Sequence, residues 1–231
     1  LGLLLLRQKF LNIGMLPARS GKPQEEPYFT AFDAVAADHQ TGDTCLEICA
    51  GLGNGGALAA TRGWTYQHFD QSYVGAIVAR LRGTSYVQGD LSAAPLHNDS
   101  VDHIIAIEGV VCLADPFAGM AEVFRILKPG GALTIVEFRL STVDAAKVHV
   151  NELAASVGGR VTRFADQTEK ARASVLDGWT DRARSIRWVP WPFRGPLRDL
   201  LCLPGTPRYA QWETGKRCYY LAQIRKPHNR A

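Results

Sequence analysis

LEICAGLGNGG, residues 46–56, is a short apolar run holding one acid and ending in four glycines within six positions. Glycine lets a backbone turn left-handed and approach another group without a Cβ in the way. The loop is therefore either a tight strand-to-helix turn or the floor of a ligand site. The flanking sequence decides between these.

Outward from the loop, 43–49 reads as a short apolar strand and 55–62 as a small helix. Upstream, 24–39 (QEEPYFTAFDAVAADH) spaces Phe29, Phe32, Val35 and Ala36 helically. Downstream, strand 65–70 ends in FDQS and helix 72–82 follows with Ser72 as N-cap. Strand 84–88 runs into Gly89 and Asp90. The near-continuous apolar run 101–108 (VDHIIAIE) suits a central parallel strand. Pro116 opens helix 116–127, KPGG closes it, and 132–138 is a fifth strand. Helix 142–156, a weaker strand in GGRVTRFAD, helix 167–184, an irregular stretch 185–212 with five prolines and a last strand 217–224 complete the chain. Strands alternating with helices predict an α/β fold with a doubly wound, mostly parallel, Rossmann-like sheet.

In such sheets ligands sit at the carboxyl ends of the strands, near the point where strand order reverses. Each of the first four strands ends at a carboxylate: Glu47, Asp70, Asp90 and Glu108. A lone glycine loop is a weak signal; four acids in register are a stronger one. Gly51 and Gly53 open the loop backbone to a ligand, and Asp70, closing the next strand, is placed to take both ribose hydroxyls of a nucleoside.

Composition bounds the partners. Apolar residues are 46% of the 231, enough for a sizeable core, and no apolar run reaches transmembrane length. Residues 1–6 are too short to span and no small-residue cleavage site precedes Pro17, so they read as a trimmed chain start or a helix start, not as a signal peptide. Five scattered cysteines without a CxxC pair argue against zinc, and no metal is expected; reduced thiols fit a cytoplasmic protein. From Arg160 onward there are 15 Lys+Arg against 6 Asp+Glu, and before it 11 against 16. The basic back half also carries four of the five tryptophans. It is either a solvated face or a surface for an anionic partner.

The order of these motifs resembles the class I S-adenosylmethionine-dependent methyltransferases, in particular their type-11, UbiE-like small-molecule branch. The resemblance spans residues 10–227. It rests on EICAGLGNG, HFDQS, QGDLSAAPL and, most specifically, EGVVCLADPFAGMAEVFRILKPGGALTIVEF. GKRCYYLAQIRKP looks like the antiparallel strand that closes the family's seven-stranded sheet, and KFLNIG (9–14) resembles the N-terminal cover of a natural-product subgroup, with Met15 replacing an aromatic. The resemblance implies a single domain over 1–231: cover (1–40), cofactor-binding core (41–165), then C-terminal helices, arm and closing strand (166–231).

It further implies S-adenosylmethionine as cofactor. Glu47 would hold its methionine part, and Cys49, Gly51 and Gly53 would pack beneath it. Asp70 would bind the ribose with Gln71 against the adenine, Asp90 would accept from the adenine amine, and Leu91 would donate its backbone N–H. Glu108 would line the transfer chamber. Three departures from the family stand out. Cys49 occupies the position of its first glycine, Cys112 replaces a frequent histidine, and the link 139–142 is too short to cover an acceptor. The cover must then come from 185–212 and 9–30.

Methyl transfer from an activated donor needs alignment above all. A base is required only for an acceptor that arrives protonated, and the strand-end candidates are Glu108 and Glu137. The six histidines are assigned structural or surface roles. Tyr28, Trp188, Trp191 and Arg194 are the candidate acceptor wall, with 188–194 expected over the ends of strands four and five and Arg187 or Arg194 clamping an anionic acceptor. The expected reaction is O- or C-methylation of a small secondary metabolite by a cytoplasmic monomer or homodimer, without nucleic acid or membrane partners. The alternative is a cyclase or other non-methylating enzyme on the same fold. The GxGxG spacing argues against a nicotinamide oxidoreductase, whose signature is GxGxxG, and no RNA-binding module accompanies the arginines.

Overall fold

A computed structural model describes residues 12–187 and 189–228. The expectations on residues 9–11 of KFLNIG and on Trp188 lie outside the described residues.

The sheet has seven strands: β1 (Thr44–Ile48), β2 (Thr65–Asp70), β3 (Tyr86–Gln88), β4 (Val101–Ile107), β5 (Leu127–Arg139), β6 (Arg160–Asp166) and β7 (Cys218–Arg225). Their spatial order is β3-β2-β1-β4-β5-β7-β6. The first five run parallel, and β7 is antiparallel to both β5 and β6. β4 is buried along nearly its whole length, as its unbroken apolar run requires of a strand covered on both faces. The chain winds outward from β1 in both directions. The crevice between the carboxyl ends of β1 and β4 is therefore the topological switch point.

Helices cover both faces. On one, α4 (Pro116–Ile126) and α5 (Val143–Ser156) bury Met120, Val123, Phe124, Val150 and Leu153 against Leu46, Ile104 and Ile135. On the other, α1 (Glu26–Ala36), α2 (Gly55–Ala60), α6 (Thr168–Asp177) and α9 (Pro207–Glu213) set Phe32, Ala59, Val175 and Trp212 against Cys45, Ile105 and Tyr219. Strand alternation assigns the faces: Leu46 and Ile48 join the first core, Cys45 the second. Ser72 caps α3 (Tyr73–Leu81), its side chain accepting from the Gly75 N–H at 3.0 Å.

Three expectations on local structure change. KPGG does not form a loop after α4. It lies within β5, where 128–131 bulge opposite the single residue Asp102, and Lys128 Nζ grips both oxygens of that carboxylate at 2.9 Å. The helix expected over 167–184 breaks at Gly178 into α6 and α7 (Trp179–Ser185). The stretch 185–212 is not irregular throughout, for it contains α8 (Arg194–Leu200) and α9. Its prolines mislead because Pro207 is the first residue of α9 and Pro196 the third of α8, where no intrahelical N–H is needed. Among the described residues no helix is long and apolar enough to cross a membrane.

Candidate active site at the switch point

The glycine loop leaves β1 through Cys49, Gly51 and Gly53, with φ of 53°, 56° and 66°. Glycine suits this left-handed geometry; cysteine does not. Gly109 makes room for the cysteine: a Cβ there would collide with that of Cys49. Cys49 lines the cavity below, and burial pushes its thiol up to about 12, so it stays protonated. Cys49→Val, which adds β-branching to a left-handed residue, is expected to cost about 1–3 kcal/mol in urea denaturation. Cys49→Gly is expected to stay within about 1 kcal/mol of the parent, strain relief offsetting lost packing.

Asp70 holds the loop. Its Oδ2 accepts from the Gly51 N–H at 2.8 Å and its Oδ1 from the Ser72 N–H at 2.7 Å. Tyr86 Oη donates to the Gly51 carbonyl at 3.0 Å. Each Asp70 oxygen retains an acceptor position, and the residue faces the cavity.

Glu47 points into the α1 core. It is 1% exposed, and Tyr28 Oη and Tyr66 Oη donate to its two oxygens at 2.9 and 3.1 Å. Burial raises its carboxyl to about 8, so it is protonated at neutral pH. Glu47 itself does not line the cavity and reaches its wall through Tyr28, which does. His68 is buried beside it. Its Nε2 accepts from the Gly56 N–H at 3.0 Å and its Nδ1 lies 2.7 Å from the Ser85 carbonyl, which sets the neutral Nδ1–H tautomer and pins α2 to the sheet.

The cavity encloses about 350 Å3 between the glycine loop and the ends of β4 and β5, at the lower end of the range for small-ligand sites. Asp70 stands on its glycine-loop side. Gln71 and Asp90 are exposed beyond it, and Leu91 is buried beneath. Asp90 Oδ1 accepts from the Ser92 N–H at 2.9 Å, which keeps the carboxylate below its ordinary pKa.

Glu108 stands on the opposite side with φ 51°, left-handed geometry that a non-glycine residue rarely takes. The Ile13 N–H at 2.9 Å and Tyr219 Oη at 2.8 Å both donate to its Oε1. Its Oε2 has no hydrogen-bond partner among the described residues. Burial raises the carboxyl to about 7, with those two donors and the Arg217 charge pulling it back down. Glu137 differs. It is buried outside the cavity lining, and its oxygens accept from the Val111 and Phe138 N–H groups at 3.0 Å. It shapes the turn after β4, and burial lifts its pKa to about 8.

The cavity wall differs from the one expected. Trp191 is 81% exposed, and Arg194 spends its guanidinium on the Val189 and Arg187 carbonyls at 2.6 and 2.8 Å. Neither lines the cavity. The same arm reaches the site later, through Leu200, Leu201, Cys202 and Arg208. Arg217, just before β7, completes it. Arg217 is 9% exposed, its Nε donates to Gln211 at 2.7 Å, and its guanidinium lies 4.9 Å from the Phe138 ring centre. Its terminal nitrogens have no hydrogen-bond partner among the described residues. Sequence reasoning missed Tyr219, within β7, and Arg217, just before it, because that segment reads only as structural closure; their signal is an arginine and a tyrosine at the start of a largely apolar strand.

Comparison with known proteins places this geometry. Residues 46–135 match a family model described as a methyltransferase domain. A phthiotriol/phenolphthiotriol dimycocerosates methyltransferase of Mycobacterium leprae is 28% identical over 227 residues, covering 91% of this chain and 80% of that protein. A demethylmenaquinone methyltransferase of Mycobacterium sp. (strain KMS) is 30% identical over 157 residues; the match covers 68% of this chain and 64% of the relative, so just under two thirds of its length. Among solved structures, the [4+2]-cyclase SpnF superposes with a TM-score of 0.72 at 19% identity over 94% of this chain and 88% of its own, a likeness of fold.

Proposed function

We propose that the chain is a class I S-adenosylmethionine-dependent methyltransferase, as the methyltransferase-domain match and the mycobacterial relatives support, and that it methylates a small organic acceptor bearing an ionisable hydroxyl. The cofactor is S-adenosylmethionine, and the residues present fit it. Asp70 offers two free acceptor positions at the nucleoside end, the open backbone of Gly51 admits a ligand, and Glu108 and the Tyr28 ring suit a cationic centre. When bound, it supplies a methyl group already activated on a positively charged sulfur.

One observation carries the reading. A carboxyl poised near neutrality and a buried guanidinium with unpaired terminal nitrogens face the same cavity. A phenol or enol placed there would give its proton to Glu108 Oε2. Arg217, aided by Arg208, would hold the resulting oxyanion, which is nucleophilic at oxygen and at the adjacent carbon. Leu200, Leu201 and Phe138 would shut out water. The acceptors named for relatives support the class, for those of the mycobacterial enzymes are phthiotriol/phenolphthiotriol dimycocerosates and demethylmenaquinone, organic molecules and not macromolecules.

Turnover with a panel of phenols and hydroquinones tests this. Each product should be heavier by one CH2 and appear in step with S-adenosylhomocysteine. Product without S-adenosylhomocysteine would mark a cyclase. Arg217→Gln is expected to raise the acceptor KM by about 10- to 150-fold, the loss of a hydrogen bond to a charged group, while calorimetry finds cofactor affinity unchanged.

A further inference from the structure

At the opposite end of the sheet, three side chains converge that the reaction does not use. His39 lies in the loop after α1, Asp43 immediately precedes β1, and His103 is in β4. One ligand atom from each lies within 4.8 Å of the others. His103 Nε2 is 3.1 Å from Asp43 Oδ2, and His39 Nδ1 is 3.9 Å from the same oxygen. The second distance is too long for a hydrogen bond. His39 Nδ1 is buried and has no hydrogen-bond partner among the described residues, and the same holds for His103 Nδ1. Buried polar nitrogens normally find partners. Here a bare imidazole nitrogen faces a carboxylate oxygen that a second imidazole already approaches.

We propose that His39, Asp43 and His103 form a binding site for a divalent transition-metal ion, Zn2+ foremost, that clasps the α1–β1 loop to the start of β4. Two imidazoles and a carboxylate are a common zinc set, and Co2+ and Ni2+ accept the same donors. Tetrahedral ligands on zinc stand about 3.3 Å apart, so the His103–Asp43 pair is already in place. His39 must close by about 0.6 Å on Asp43 and by no more than about 1.5 Å on His103, within the reach of a side chain at a loop. Its environment keeps it ready. Burial and His103 hold its pKa below the ordinary value, so the ring is neutral and its lone pair available. Trp64 stacks against it, ring centres 4.6 Å apart, and the Gln40 N–H donates to Asp43 Oδ2 at 2.8 Å, which fixes the carboxylate. Asp43 is partly exposed, leaving a fourth position open to water. The site lies away from Cys49 and Glu108, so its role is to stabilise, not to catalyse.

The test is titration of the chelator-treated full chain with Co2+, followed in the visible range, and with Zn2+, followed by thermal unfolding. A 1:1 Co2+ complex with d–d bands but no thiolate charge-transfer band in the near ultraviolet is expected. At a hundredfold excess over Kd, Zn2+ should raise Tm by about 5–10 °C. His39→Gln and Asp43→Asn, both at partly exposed positions, should each weaken binding by more than the roughly 10- to 100-fold typical of outer-shell changes, with the metal-free Tm near the parent's. Thiolate bands, affinity unchanged in both variants, or no binding at millimolar metal would overturn the site.

Discussion

Glu108→Gln is expected to lower kcat/KM for the acceptor by about 10²- to 10⁴-fold, the span that a positioned general base contributes. The substitution isolates proton transfer. Glutamine keeps an oxygen for the Ile13 N–H and Tyr219 Oη, both of which donate to Oε1 in the parent, so the left-handed corner and the cover survive. It cannot take a proton. The parent carboxyl titrates at about 7, so kcat/KM should rise with pH through that value and level off above it; the variant's profile should be flat there. Stability moves in the opposite direction. The carboxyl's folded-state pKa lies above its ordinary 4.5, so the folded protein holds more protons than the unfolded chain between those values. Stability present below pH 4.5 is lost as pH rises through 7. Glu108→Gln should flatten that fall in urea denaturation at pH about 6 and 8.5. A variant with the parent's kcat and pH profile would remove Glu108 from the proton's path.

Asp70→Ala is expected to weaken S-adenosylmethionine binding by roughly 2–4 kcal/mol, about 30- to 900-fold. Two losses combine. The carboxylate would no longer accept the two ribose hydroxyls, and the Gly51 and Ser72 N–H groups would lose the acceptor that shapes the loop beneath the ligand. Asparagine is not a rescue, because its amide nitrogen would confront one of those N–H donors. Circular dichroism should show the fold intact, for Asp70 is partly exposed and outside both cores. Calorimetry finding parental affinity in Asp70→Ala would sink the ribose assignment, and NADH binding in place of S-adenosylmethionine would sink the cofactor.

The strands, their order along the chain and the acids at their ends were legible because each is written locally. Period-two and unbroken apolar runs mark β1, β2 and β4, and a carboxylate after an apolar run must emerge at the strand's end. Asp70 and Glu108 both lie in the cavity wall. Where a side chain goes from a strand end is another matter. Alternation turns Glu47 toward the α1 core, and only the packing of α1 brings Tyr28, 19 residues away in sequence, to meet it. The cysteine in the glycine loop is tolerated because Gly109, on another strand's end, makes room for it.

Sequence by itself determined the class of sheet, the switch point, the glycine loop and the acids at the strand ends, since these depend on residue type and spacing within one segment. Tertiary structure alone decided which acids face the cavity. It buried Glu47 and Glu137 beneath backbone and tyrosine donors, left Glu108 at the wall, and brought Tyr219 to it from 111 residues away. It lined the cavity with Leu200, Leu201, Cys202 and Arg208 and left Trp191 and Arg194 outside that lining. It also gathered His39, Asp43 and His103 at the other end. A contact between distant segments is set by how the two faces of the sheet are covered, and no local pattern of residues carries that information.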